Sequence, residues 1–136
     1  MELALDKSPN PAGAPSGDHD LYTALADAAM QEHDPAALRK YAPLAEETAT
    51  RIDHKLYTAI AHRAWGAAHR LAGEYAEAER RLNLALNAFA DLNTRWQGSV
   101  TLFELGELAS VQGHNTTASD NFSRALTAFE EMRAAP

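Results

Sequence analysis

A shift of 40 residues lays one part of this chain over another. Gly66 falls on Gly106, Gly73 on Gly113, Ala78 on Ala118, and Leu82 on Phe122. The run Ala85-Leu86-Asn87-Ala88-Phe89 falls on Ala125-Leu126-Thr127-Ala128-Phe129. Small positions meet small ones and large meet large, in a single register. Self-similarity at a period of about 20 to 50 residues marks stacked supersecondary units, none of which buries its apolar face alone.

Each copy reads as two helices. Leu56, Ile60, Trp65, Ala68 and Leu71 recur at helical spacing, and Gly73 supplies a stop. A second stripe runs through Ala78, Leu82, Ala85, Leu86 and Phe89. The next copy repeats this with Val100, Leu102, Leu105, Leu108 and Val111, a stop at Gly113, and a stripe ending at Phe129. Gly66 and Gly106 fall in mid-helix, where glycine costs about 1 kcal/mol relative to alanine. Their recurrence implies close approach of a neighbouring helix.

Moving the frame backwards finds a degraded first copy, with Ala26 and His33 where the signature glycines stand. Asp34-Pro35 supplies an N-cap and a first-turn proline. Pro43 lies inside the helix that follows and should bend it. The predicted helices are 18–32, 35–51, 55–72, 75–91, 95–112 and 115–133, grouped as repeats 18–52, 53–92 and 93–133 in one domain, 18–136. An alanine-rich composition suits them, because alanine loses no side-chain entropy in a helix. Residues 1–17 carry Pro9, Pro11, Gly13, Pro15 and Gly17 and read as a flexible lead-in, with Met1, Leu3 and Leu5 as its apolar handles.

Composition removes several function classes. The chain has no cysteine, so disulfides, thiolate catalysis and thiolate-bound zinc are absent. A net charge of -7 argues against a nucleic-acid partner. No apolar run approaches the roughly 20 residues of a membrane span, and no basic-then-apolar leader opens the chain. The expected location is therefore cytoplasmic, with no membrane partner.

Trp65-Gly66, Gly73-Glu74-Tyr75, Ala78 and Ala85-Leu86 follow, in order, the signature of the tetratricopeptide repeat family, which the chain resembles. Leu105-Gly106, Gly113, Ala118 and Ala125-Leu126 match it again, with Asn115 departing where Tyr75 stands. The resemblance covers residues 18 to 133. It implies an all-α, right-handed α-solenoid of three helix-turn-helix pairs, six helices in all. The period exceeds the usual ~34 residues, which places extra length in the helices or in the links at Asp53-His54 and Asn93-Thr94. Longer repeats of this kind resemble those of bacterial signalling and regulatory proteins. The resemblance implies a non-catalytic module, without cofactor or metal, that holds a partner protein or peptide in a concave groove. Two alternatives are a self-assembling scaffold segment and the sensor domain of a larger regulator.

His62 and His69 are seven apart and match no helical zinc motif, so they read as semi-buried packing residues. His33, His54 and His114 fall near turns and read as exposed. No nucleophile elbow or phosphate loop occurs. Glu46-Glu47, Glu77, Glu79 and Glu130-Glu131 read as solvated helix faces.

The groove faces of the first helices then carry Thr23, Asp27 and Met30, Ile60, Arg63, Ala67 and Arg70, and Phe103, Glu107 and Ser110. Arg63, Arg70, Phe103, Glu107, Asp27 and Ile60 are the candidate partner-binding residues. Arg63 and Arg70 stack on one face, and arginine forks suit carboxylates, so an acidic or C-terminal peptide group is the expected ligand. The competing reading pairs these arginines with Asp27 or Glu107. Some family members clamp a C-terminal carboxylate with an Asn where Ala67 stands here. Phe122, Phe129 and Met132 on the last helix, joined by Trp96, are candidates for self-association into a homo-oligomer.

Overall fold

The first five helices of this chain end alike. The computed structural model describes residues 18–134, so the expected lead-in 1–17 lies outside the described residues. Six helices run through them: α1 (Asp18–Gln31), α2 (Pro35–Arg51), α3 (Lys55–Leu71), α4 (Tyr75–Asp91), α5 (Arg95–Val111) and α6 (Asn115–Ala134). The links are residues 32–34, 52–54, 72–74, 92–94 and 112–114. The middle residue of each is left-handed, with φ of 54° at His33, 55° at Asp53, 79° at Gly73, 57° at Asn93 and 79° at Gly113. Its N–H bonds the carbonyl three residues back, and the next N–H bonds the carbonyl five back. Asn93 to Ala90 and Thr94 to Phe89, both 3.1 Å, are one such pair. Together they close the orphan carbonyls of the last helical turn. Glycine enters that conformation freely, and Asn, Asp and His are the side chains that tolerate it best.

The last residue of a link also opens the next helix. Asp34 accepts the Ala37 N–H at 3.1 Å, and His54 Nδ1 accepts the Tyr57 N–H at 3.2 Å. Pro35 follows Asp34 in the first turn, where its missing N–H is not needed. Helices α2 to α5 are each 17 residues long. Two such helices and two three-residue links make the 40-residue period, so the extra length lies wholly in the helices. The helix α2 continues through Pro43 to Arg51.

Links this short fold consecutive helices back on one another. Each helix packs on its chain neighbours, and in addition α1 packs on α3 and α3 on α5. The result is an all-helical, solenoid-like row of three hairpins, α1–α2, α3–α4 and α5–α6, without strands among the described residues. The two mid-helix glycines explain the closeness within a pair. A Cβ built on Gly66 would lie 2.5 Å from Leu82 Cγ, and one on Gly106 would lie 2.6 Å from the Phe122 ring. In the first pair Ala26 and Ala42 hold the two corresponding places, both fully buried in one cluster. Volume taken from one helix is returned by the other.

Candidate functional site: a cleft between the first helices

The contacts among α1, α3 and α5 decide what their side chains can do. Arg63 and Arg70 lie two turns apart on α3, the central helix of the three. The Arg63 guanidinium donates to Asp27 Oδ1 of α1 at 3.0 Å and to the Gln97 carbonyl of α5 at 3.2 Å. It also lies over the Phe89 ring, 5.1 Å from the centroid. Arg70 Nη2 stands 3.6 Å from Glu104 Oε1 of α5. Thus one helix carries two cations and its neighbours carry the acceptors, a set of polar ties across the three first helices.

These ties are buried. Arg63 is 1% exposed, Arg70 7% and Glu104 5%. Burial pulls the Arg63 guanidinium below its ordinary value, opposed by Asp27 and Glu104. Burial pushes the Glu104 carboxyl up, with Glu107 adding to it and Arg70, Arg63 and His33 opposing. The satisfaction is incomplete: Glu104 Oε1, Arg63 Nε, Arg70 Nε and Nη2, and Thr23 Oγ1 have no hydrogen-bond partner.

A cleft of about 380 Å³ opens over this layer. Its walls come from Asp27, Met30 and Gln31 of α1, His33 of the first link, Arg63 of α3, Trp96, Gln97, Val100, Phe103 and Glu104 of α5, and Phe129 of α6. The rim is aromatic. Trp96 is 58% exposed and stands 4.8 Å, centroid to centroid, from Phe129. Phe103 is 44% exposed and stands 5.0 Å from Phe122.

Asp27, Arg63 and Phe103 therefore come together in one cleft. Ile60, Arg70 and Glu107 do not line it. Ile60 is buried in a cluster with Ala59, Ala85 and Phe89. Glu107 is half-buried. Arg63 and Arg70 are not free forks for an acidic ligand, because both are buried and engaged within the row. The competing reading was nearer: Arg63 does pair with Asp27, while Arg70 pairs with Glu104 rather than Glu107. Glu104 was missed, although it interrupts the apolar series Val100 and Leu108 at helical spacing. The self-association candidates Phe122, Phe129 and Met132 are all half-buried, and Leu126, 59% exposed, is the open apolar residue of α6.

The opposite seam has its own repeat. A pocket of about 740 Å³ lies among α4, α5 and α6, walled in part by Gly98, Ser99, Leu102, Arg124 and Glu131. A pocket of about 380 Å³ lies one repeat earlier, walled by Thr58, Ala59, His62, Leu84 and Asp91 at the matching positions. The larger one has glycine and leucine where the smaller has threonine and histidine.

The histidines behave mostly as packing groups. His62 Nδ1 faces Arg81 Nη1 at 2.8 Å, and Arg81 also pairs with Glu46 at 2.8 Å. Glu46 accepts the Trp65 indole N–H as well, so it belongs to an inter-helix network and not to a solvated face. His69 stacks on Trp65 and bonds Glu74. His33 and His114 are exposed, but His54 is half-buried as the cap of α3 and stacks on Tyr57. No group of three metal-ligating side chains forms among the described residues, and no described helix is long and apolar enough to cross a membrane. Comparison with known proteins gives no significant match to a family model, a curated protein or a solved structure.

Proposed function

We propose that this chain is a non-catalytic protein-interaction module of the tetratricopeptide kind, working in the cytoplasm, that holds a partner segment against α1, α3 and α5. The observation that carries this reading is the aromatic rim of the cleft. Trp96 and Phe103 keep large apolar surfaces in water, 58% and 44% exposed, beside a concave wall with convergent polar groups. Exposed aromatic surface of that kind marks an interface more often than chance. The repeat register agrees with it, since first helices line the groove in the family the sequence resembles.

The test is positional crosslinking. A photoreactive residue is placed at position 103, and separately at position 84 on α4, where Leu84 is 41% exposed away from the cleft. The same discrete partner captured from 103 and not from 84 is the expected result. Capture from 84 alone moves the interface to the second helices and overturns the reading.

One observation favours a second reading, assembly of the chain with itself. Among the described helices α6 packs chiefly on α5, and Leu126 on it is 59% exposed. Sedimentation equilibrium of the wild type and of Leu126→Glu decides it: a concentration-dependent dimer that the variant abolishes supports assembly, and a monomer throughout removes it.

A further inference from the structure

The arginines of the central helix suggested a ligand of negative charge. The packing reverses that sign. Arg63 spends its guanidinium on Asp27 and on the Gln97 carbonyl, and Arg70 is buried outside the cleft walls. What stands in the cleft wall is Glu104, only 5% exposed, whose buried Oε1 accepts no hydrogen bond. Its ion-pair partner, Arg70 Nη2, stands 3.6 Å away, beyond good hydrogen-bonding distance. Around that point the carboxylates of Asp27, Glu104 and Glu107 face the guanidiniums of Arg63 and Arg70 and the imidazole of His33. Glu104 itself lies in a place largely closed to water, where a carboxylate without a good partner is expensive. The rim over it is built from Trp96 and Phe103, whose ring faces attract cations.

We propose that the cleft takes a basic side chain, arginine or lysine, of a partner polypeptide, which passes the Trp96 and Phe103 rim and completes the pairing of Glu104. This rests on the interaction-module reading and adds the chemistry of the ligand. An acidic segment meets the opposite situation: the one guanidinium in the cleft walls, Arg63, is already engaged, and an under-paired carboxylate stands beside it.

The experiment is a nuclear magnetic resonance titration of the labelled full chain with three short peptide pools. The pools share apolar flanks and carry a fixed central arginine, norleucine or glutamate. The arginine pool is expected to bind at least about tenfold more tightly than the glutamate pool, a gap that one charge-assisted contact supplies. It is expected to move the Trp96 indole signal. Glu104→Gln is expected to reduce the arginine pool to the norleucine level, with an unchanged fold by circular dichroism. If that variant does not fold, Trp96→Ala, at an exposed position, must weaken the arginine pool severalfold. A glutamate pool binding as tightly overturns the cation inference and leaves the groove standing. An arginine preference that survives Glu104→Gln in a folded protein overturns it too. Silence of the α1, α3 and α5 signals with every pool removes the groove and the inference together.

Discussion

Arg63 and Phe103 hold the same place in successive helix pairs, and their surroundings are opposite. The arginine is 1% exposed and the phenylalanine 44%. Other matched positions behave the same way. Phe89 is fully buried where Phe129 is half-buried, and Leu86 is half-buried where Leu126 is 59% exposed. The difference lies in the neighbours: α3 packs on four helices, α1, α2, α4 and α5, whereas α6 packs chiefly on α5. A repeat fixes where a residue sits along and around its helix. The row decides how deep it lies. The middle pair therefore carries the row's internal ion pairs, while the third pair presents aromatic side chains to solvent.

That comparison makes its largest claim about the two phenylalanines. Phe89→Ala should destabilise the chain by about 3–5 kcal/mol, the range for emptying a fully buried aromatic site. It also removes the ring under the Arg63 guanidinium. Phe129→Ala should cost less, since part of its surface is already wet. Urea unfolding of both variants checks this, and equal losses would break the comparison.

The next effect concerns close approach within a pair. Gly66→Ala should cost about 1–3 kcal/mol from overpacking against Leu82, despite alanine's better helix propensity. Against a Leu82→Ala background the same change should stabilise, because the two alanines then reproduce the Ala26 and Ala42 arrangement of the first pair. A double-mutant cycle reads the reversal of sign. Two costs that simply add would show that the glycine has no packing role.

A third contrast is chemical. His62 and Leu102 are matched positions. Burial, then the neighbouring Arg81, lowers the His62 value below 6.5, with Glu46 opposing. Folded His62 thus binds its proton less readily than it does in the unfolded chain. The stability it contributes is present above pH 6.5 and is lost as pH falls through the lowered value. His62→Leu, which makes the second pair like the third, should flatten that acid loss. Thermal midpoints measured from pH 7.5 downward test it. An unchanged acid slope would mean that His62 is not the titrating group.

Much of this was legible from the sequence, for reasons that differ by residue. The 40-residue register and the stops at Gly73 and Gly113 placed the six helices to within a residue or two, because turn chemistry and helical periodicity are local. The packing role of Gly66 and Gly106 was legible for the same reason, since Leu82 and Phe122 recur with them. Burial of charge was not. Whether Arg63 faces solvent depends on α1 and α5 arriving from 36 and 34 residues away in sequence. Glu104 was hidden among the helix's other polar residues, and only its place in an apolar series marked it. His33, Asp53 and Asn93 were placed at links, but the left-handed conformation they share with Gly73 was not read there, because their identities differ.

Those turns give the smallest effect and the cleanest comparison of first and second pairs. Nothing lies within 4 Å of a Cβ built on Gly73, so replacing it probes the backbone alone. Gly73→Ala should cost about 1 kcal/mol, the penalty of a left-handed residue with a Cβ. His33→Gly removes the same penalty at the matching link and should stabilise, by less than about 1 kcal/mol, since glycine also raises the entropy of the unfolded chain. The opposite signs follow from one shared conformation, with φ of 79° at Gly73 and 54° at His33. Matched thermal melts of the two variants decide it. A His33→Gly variant that loses stability would mean that the exposed imidazole, by a contact of its own, outweighs the strain of its backbone.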